Sequence, residues 1–161
     1  MNIRDEWSTP QGLFDVIDAE FDFNMDVCAT AANAKCGRFN SLPWQNGLKS
    51  EWGWVNWCNP PYSHIGPWLA TGIEMQRAQG RLSVFLLPVD VSTRWWAEYV
   101  WLATELRFLV GKRVQFDAPA GVNRSSNTGS SVLAIYRPGS PSRLSNGPWV
   151  RWWDWSTEVS A

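Results

Sequence analysis

Apolar residues along this chain repeat with two different periods, and the two periods predict alternating strands and helices. Short runs that alternate or are almost wholly apolar are typical of strands, whereas apolar residues spaced three and four apart are typical of helices. The predicted strands cover residues 21–27, 54–58, 82–89, 105–116 and 131–136, and the predicted helices cover residues 10–19, 68–79 and 92–104. Thr9 is the expected cap of the first helix, Gly80 the expected end of the second, and Gly111 a break in the fourth strand.

This order of elements favours an α/β protein with a three-layer, mostly parallel sheet. The last two strands are expected to close as a hairpin, which adds an antiparallel strand near the C-terminus. Residues 36–53 look loop-rich. We expect residues 1–161 to form one domain, with a core of about residues 6–136 and a Pro- and Trp-rich tail, residues 137–161, packed on it.

The strand at residues 54–58 ends in the tetrapeptide Asn59-Pro60-Pro61-Tyr62. Neither proline can donate a hydrogen bond to a neighbouring strand, and each fixes its own φ, so pairing must stop there. Ligands bind to open α/β sheets at the carboxyl ends of the strands, which makes this rigid loop a candidate site. The Asn59 side chain and the Pro60 carbonyl offer acceptors, and Tyr62 offers a flat ring. A stiff turn without a ligand is the alternative that Pro-Pro-Tyr alone allows.

Two acceptors beside an aromatic ring suit a planar group that carries an NH2, such as adenine. The lone pair of that amine is delocalised into the ring, so the nitrogen is a poor nucleophile. Acceptors for both of its protons would draw the nitrogen toward a tetrahedral, nucleophilic geometry. Stabilisation of the developing positive charge, with alignment against an electrophilic methyl group, then makes a strong base unnecessary.

A second candidate site residue is Asp26, which we expect at the end of an early strand. A carboxylate in this position is where a Rossmann-like fold contacts a nucleoside. The small residues 28–32 that follow allow a tight turn into a short helix. No Gly-x-Gly-x-x-Gly sequence accompanies them, so the pattern alone does not specify a cofactor.

Composition and charge narrow the class of protein. A hydrophobic content of 45% argues against disorder. We expect no membrane partner and a cytoplasmic location, because no stretch approaches membrane-spanning length and the N-terminus lacks a signal-peptide pattern. Three cysteines without a Cys-x-x-Cys pair and one histidine make a poor metal set, so we expect no metal. Basic residues prevail only in residues 107–161, where Lys112, Arg113 and Arg124 are candidates for phosphate contacts, although an ordinary solvated surface fits equally well.

Several short motifs occur in an order that is more specific than any one of them. This ordered set resembles the small, mostly phage-encoded DNA N-6-adenine methyltransferases, often called the Dam family, which use S-adenosylmethionine. The matching residues are Trp7-Ser8-Thr9-Pro10, residues 21–29 with Asn33-Ala34, Asn46-Gly47-Leu48, Trp52, Asn59-Pro60-Pro61-Tyr62, Leu86-Leu87-Pro88 with Trp95-Trp96, and residues 111–116. They cover about residues 6–136, and they imply a Rossmann-like methyltransferase fold.

The resemblance implies a role for each matched segment. Asn59 and the Pro60 carbonyl, in the rigid turn that Pro61 completes, would hold the target amine, while Tyr62 would stack on a base flipped out of double-stranded DNA. Asp26, with its neighbours Cys28 and Ala29, would hold the cofactor. Trp7, Thr9 and Pro10 would line the methionine or sugar side of the same cofactor.

Two departures from the family pattern affect the cofactor side. Asn46 stands where the family usually has an aspartate that meets the adenine amine of the cofactor, so we expect weakened binding rather than loss. Cys28-Ala29-Thr30 replaces a glycine-rich loop, as is normal for this family. A methyltransferase for another planar amine, in RNA or a protein glutamine, and a catalytically inactive DNA-binding relative remain the alternatives.

The short span between Asp26 and Asn59 predicts relaxed specificity, because it leaves no room for an inserted target-recognition domain. Readout in the major groove needs several side chains against base edges. We therefore expect salt-sensitive DNA binding and a short or relaxed adenine context, with Arg124 and the loop at residues 117–129 making most DNA contacts. Sequencing of methylated adenines in a treated random-sequence plasmid tests this. Strict modification of one long motif would contradict it and implicate the tail or a dimer.

Overall fold

The computed structural model describes residues 7–41, 46–122, 129–139 and 147–159. Its helices are α1 (Gln11–Phe21), α2 (Ile65–Gln79), α3 (Arg94–Tyr99), which continues as a 3-10 turn at Val100–Leu102, and α4 (Ser156–Val159). Its strands are β1 (Met25–Ala29), β2 (Phe39–Ser41), β3 (Val55–Cys58), β4 (Leu82–Pro88), β5 (Glu105–Leu109), β6 (Ser131–Tyr136) and β7 (Trp149–Trp153).

The described strands form one seven-stranded sheet in the order β2-β1-β3-β4-β6-β5-β7. β6 is antiparallel to both of its neighbours, β4 and β5, and the other neighbouring pairs are parallel. The expected α/β class is confirmed, including the mostly parallel sheet and its antiparallel strand near the C-terminus. Since β1, β3, β4 and β5 point the same way, the loops that follow them meet at one edge of the sheet.

Two apolar clusters cover the two faces of the sheet and give the fold its three layers. α1 packs on one face through Leu13, Phe14 and Ile17, and α2 packs on the other through Trp68 and Leu69. Strand β6 is wholly buried, and its residues alternate between the two clusters, as the pleat of a strand requires.

The N-terminal elements differ from the sequence-based expectation in their bounds. α1 extends to Phe21 and ends at Asp22, whose φ is 53°, because the Asp18 side chain accepts the N–H of Phe23 (2.8 Å). β1 therefore begins only at Met25, and it runs past Asp26 to Ala29. Thr9 does not cap α1, since Pro10 occupies the cap position without a side-chain hydrogen bond.

Three further predictions about elements were wrong. Residues 30–38 form turns instead of a short helix, held by bonds such as Asn33 Oδ1 with the Thr30 N–H (2.6 Å). The loop-rich stretch at residues 36–53 also contains one short strand, β2. α3 is shorter than residues 92–104, and β5 ends at Leu109, before the expected break. In the tail, residues 149–153 form β7, which pairs with β5. The αL end of α2 at Gly80, φ 65°, was predicted correctly.

A buried ion network lies at the edge of the sheet opposite to the Asn59 loop. Arg107 bonds to Glu105 (2.6 Å) and to Glu20 (2.5 Å), and Arg137 approaches Glu105 within 3.2 Å. The Arg107 and Glu105 side chains are each 5% exposed, so their charges depend on each other for solvation. The network ties α1 to β5 and β6 and holds the sheet behind the candidate site.

Replacement of Arg107 by methionine should lower the free energy of unfolding by about 3 kcal/mol, because it leaves Glu105 buried with fewer cations. Urea denaturation measures the change. Arg151→Met is the matched control: its side chain is 43% exposed and 3.5 Å from Glu105, so its loss should cost at most about 1 kcal/mol. Equal effects of the two changes would contradict the assignment of Arg107 as the centre of the network.

Candidate active site

The Asn59-Pro60-Pro61-Tyr62 loop leaves the sheet at the carboxyl end of β3. β3 lies between β1 and β4, and its pairing ends at Cys58, as the two prolines dictate. The Pro61 carbonyl accepts the N–H of His64 (2.9 Å), which turns the chain into α2. Among the described residues, no hydrogen bond uses the Pro60 carbonyl. That carbonyl is therefore available as an acceptor.

The Asn59 amide has a defined orientation. Its Nδ2 donates to the Trp7 carbonyl (3.2 Å), and a carbonyl can only accept, so the nitrogen must face Trp7. Oδ1 points the other way, is buried, and has no hydrogen-bond partner within the described part of the chain. A buried acceptor of this kind is costly unless a donor reaches it. The arrangement suits a ligand that brings an N–H.

Tyr62 presents the aromatic surface of the loop. The residue is 41% exposed, and its ring meets the Phe116 ring edge to face, with centroids 6.0 Å apart. A tyrosine with its ordinary pKa of about 10 is already neutral at pH 7, and the pKa of Tyr62 is not lowered, so the ring is uncharged. Phe116 thus supports a neutral ring that is open enough to stack on a flat ligand.

Asp26 lies within β1 rather than at its end, and its carboxylate accepts hydrogen bonds from backbone N–H groups of the same chain. Oδ1 accepts the Cys28 N–H (3.3 Å) and Oδ2 accepts the Lys35 N–H (3.0 Å), so the side chain fastens the turn that follows β1. Burial raises the pKa of Asp26 to about 6, against the opposing effect of these two backbone bonds. The residue is only 3% exposed. The half-buried Cys28 and Ala29 are the β1 residues nearer the open edge.

The cysteines are free thiols, and two of them meet beside the loop. Cys58 is fully buried, and its pKa is raised first by desolvation and then by a hydrogen bond with the Cys28 side chain. Burial also raises the pKa of Cys36 to about 12. The raised pKa values keep the Cys58 and Cys36 thiols protonated, so neither of these two is a ready nucleophile at neutral pH.

Asn46 is held next to the end of β1 by the glycine that follows it. Gly47 packs so closely that a Cβ there would lie 2.1 Å from the Val27 carbonyl oxygen. Its own carbonyl accepts from Trp52 Nε1 (2.7 Å). The Asn46 Oδ1 accepts the Leu48 N–H (3.0 Å), so the amide closes a tight turn. An aspartate would serve this turn equally well.

The N-terminal segment passes over the same edge. Thr9 is 2% exposed, and its Oγ1 has no hydrogen-bond partner among the described residues. Pro10 directly precedes α1. With Trp7 bonded to Asn59, the structure brings the predicted residues Trp7 and Thr9 together with the Asn59 loop.

Of the three cationic residues predicted to contact DNA, two lie among the described residues. Lys112 and Arg113 are exposed and follow β5, so they lie at the same edge of the sheet as Asn59. Their segment is anchored, since the Lys112 carbonyl accepts from Trp155 Nε1 (2.9 Å). Arg124 lies outside the described residues.

Sequence reasoning missed the contacts that hold the loop in place. Ser8 and Asp117 form an isolated antiparallel bridge, with Ser8 N–H to Asp117 carbonyl and the reverse bond both 2.9 Å. Phe116 belongs to a matched motif, but nothing in the sequence pairs it with Tyr62. Neither contact has a local signal, because each joins residues far apart along the chain.

Two features are absent from the residues that the structure describes. No group of three or more His, Cys, Asp or Glu side chains among them is arranged to hold a metal ion. None of the helices described is both long and apolar enough to cross a membrane.

A mostly parallel sheet with one antiparallel strand, and a Pro-Pro loop at its carboxyl edge, is compatible with a Rossmann-like methyltransferase. A family model described as DNA N-6-adenine-methyltransferase (Dam) matches residues 1–147. The DNA N-6-adenine-methyltransferase of Haemophilus phage HP1 (strain HP1c1) is 32% identical over 142 residues, which are 86% of this chain and 82% of that protein. The chain belongs to the DNA N-6-adenine-methyltransferase (Dam) family.

A second relative shares less of its length. The DNA N-6-adenine-methyltransferase of Escherichia phage T1 is 32% identical over 114 residues, which are 65% of this chain and 47% of that protein. The match thus spans about half of the T1 protein.

The raised pKa of Asp26 predicts a pH-dependent stability. Its folded pKa, about 6, lies above that of an unfolded aspartate, so the folded state binds more protons between these values and is destabilised as the pH rises through them. Between pH 4 and pH 7 the wild type should lose roughly 2–3 kcal/mol of unfolding free energy that Asp26→Asn does not lose. Urea denaturation at a series of pH values measures both proteins. Parallel curves would contradict the shift.

Proposed function

We propose that this protein transfers a methyl group from S-adenosylmethionine to the exocyclic amino nitrogen of adenine in DNA, with the base flipped into the Asn59-Pro60-Pro61-Tyr62 loop. The observation that carries the proposal is the buried Asn59 Oδ1, an acceptor without a described partner, in the same loop as the exposed Tyr62 ring. The names of the two phage relatives support adenine in DNA as the substrate.

The amine is held by oxygens of the loop. Asn59 Oδ1 accepts a hydrogen bond from one N–H of the amine, and the Pro60 carbonyl accepts one from the other N–H. These two hydrogen bonds localise the lone pair on the nitrogen. The positive charge that develops as the new N–C bond forms is stabilised by the same two acceptors. The methyl group's bond to the sulphur of the donor would break as the N–C bond forms, and one of the two amine protons would pass to solvent. The products would be a neutral secondary amine and a neutral thioether. No ionised base is needed, in keeping with a neutral Tyr62.

Tyr62 binds the flipped base by stacking. An aromatic face contributes about 1–3 kcal/mol per stacked base and does not depend on the base's identity. Specificity for adenine therefore rests on the two acceptors, which need an NH2 opposite them. Flipping brings the amine out of the duplex and within their reach.

The cofactor side is assigned to the residues around the end of β1. S-adenosylmethionine supplies an electrophilic methyl group. The residues fit this ligand in one specific respect: the Thr9 hydroxyl is buried without a described partner, as expected of a group that a polar ligand completes. Trp7 and Pro10 flank Thr9, and Asn46 and Cys28 line the β1 side together with Ala29. Asp26 acts here through the turn that it fastens.

DNA is bound at the same edge of the sheet. Lys112 and Arg113 follow β5 and are exposed, so both side chains lie on a surface that phosphates flanking the flipped base could approach. Arg124 is retained as a candidate from the sequence.

Asn59→Ala should lower the rate of methyl transfer to DNA by about two to three orders of magnitude, the usual cost of losing one hydrogen-bonding group for the transition state. Cofactor affinity should change little because, among the described residues, the amide meets the cofactor side through a single hydrogen bond, to the Trp7 carbonyl. Single-turnover transfer of a radiolabelled methyl group measures the rate, and calorimetry measures the affinity.

Gln79→Ala is the matched control, since it removes a carboxamide from the far end of α2. It should keep full activity. RNA and protein acceptors are assayed in parallel with DNA. Methylation of one of these in place of DNA would replace the proposed substrate, and cofactor binding without transfer to any acceptor would indicate an inactive relative.

A further inference from the structure

The two residues at the ends of the Asn59–Tyr62 loop each contact a neighbour of one backbone bridge, which joins Ser8 and Asp117. Asn59 contacts Trp7, and Tyr62 contacts Phe116. We propose that the Ser8–Asp117 bridge is a positioning element for methyl transfer: it keeps the Asn59 oxygen facing the target amine and keeps the Tyr62 ring in its stacking position. The inference rests on the proposed function of Asn59 and Tyr62. It assigns a role to the backbone of Ser8 and Asp117, which lie outside the loop.

A single peptide group connects Asn59 to the bridge. The Trp7 carbonyl accepts from Asn59 Nδ2 (3.2 Å), and the N–H of the same peptide unit, on Ser8, donates to the Asp117 carbonyl (2.9 Å). The peptide is planar, so fixing its N–H also fixes the direction of its carbonyl. Bonds aligned in this way polarise each other. The Asn59 amide is therefore oriented by a chain of hydrogen bonds that ends at Asp117.

Loss of this orientation would turn the wrong end of the Asn59 amide toward the target amine. If Asn59 turned over, Nδ2 would face the amine and a donor would meet a donor. The amine would lose an acceptor at the point where positive charge develops. Misplacement of a positioned group by about 1 Å is enough to cost about 100-fold in rate.

The bridge is also connected to Tyr62, through Phe116. The Asp117 N–H donates to the Ser8 carbonyl (2.9 Å), which fixes the backbone immediately after Phe116. The Phe116 ring meets the Tyr62 ring at 86° with centroids 6.0 Å apart. The bridge thus acts on Asn59 through Trp7 and on Tyr62 through Phe116.

Ser8→Pro tests the proposal because proline has no N–H to donate, whereas Ser8→Ala keeps it. Among the described residues, the Ser8 hydroxyl makes one hydrogen bond, a long one to the Thr9 carbonyl (3.4 Å), and Ser8→Ala loses it. Ser8→Pro should lower kcat about 10- to 100-fold, and Ser8→Ala should stay within about twofold of the wild type. The KM for DNA and the Kd for S-adenosylmethionine should change about threefold or less with either variant. Equal kcat values for the two variants would overturn the proposal.

A double-mutant cycle separates positioning from a general loss of structure. In an Asn59→Ala background the amide is gone, so Ser8→Pro should lower kcat only through its effect on Tyr62, by a clearly smaller factor than in the wild-type background. The same loss of kcat in both backgrounds would mean that Ser8→Pro acts on the fold and would overturn the proposal. If Ser8→Pro does not fold, Asp117→Pro with Asp117→Ala as its control breaks the same bridge from the other side.

A third measurement does not depend on catalysis. The side-chain amide signals of Asn59 in a 15N-labelled sample should shift in Ser8→Pro and stay in place in Ser8→Ala. If they shift while the wild type transfers no methyl group, the proposed function has failed and the contact stands. Unshifted Asn59 signals in Ser8→Pro would overturn the positioning role, whatever the activity.

Discussion

Termination of β3 by two prolines is the constraint on which the site depends. β3 pairs in parallel with β1 as far as Trp57 and with β4 as far as Cys58. Asn59 follows directly, so its backbone has nearly the rigidity of the sheet. Tyr62 stands three residues further on and gains its support from Phe116 instead. The loop therefore has one end fixed by the sheet and one end fixed by a ring contact.

The elements that sequence patterns predicted well are those whose signal is local and strong. β4 and β6 are apolar runs covered on both faces, and Gly80 ends α2 in the conformation that glycine adopts most easily. β2 was missed because it has only three residues, and its pairing with β1 creates it. The tail was expected to pack on the body, but β7 joins the sheet through β5, a contact that no local pattern reports.

The candidate site divides in the same way. The tetrapeptide and the turn at Asn46 were recognisable from sequence because each works within a few residues. The position of Asp26 was predicted wrongly, because alternation of apolar residues indicates a strand but does not mark where the strand ends. The Lys35 N–H that donates to the Asp26 carboxylate also lies nine residues away along the chain. The bond from Asn59 to Trp7 spans 52 residues. Contacts of that range follow from the fold and cannot be read from spacing.

An unpaired amide oxygen does not by itself mark a site, and Asn56 shows why. Like Asn59, it donates through Nδ2 to backbone carbonyls, here those of Gly53 and Leu82, and its Oδ1 is buried without a described partner. Asn56 is fully buried within β3, however, where no ligand can reach it. Asn59 is half-buried at the open edge, beside an available carbonyl and in the same loop as an exposed ring. Asn59 is the candidate catalytic residue because its oriented acceptor oxygen is also accessible to a ligand. Asn56 has a similar unpaired oxygen without that access, so its role is structural.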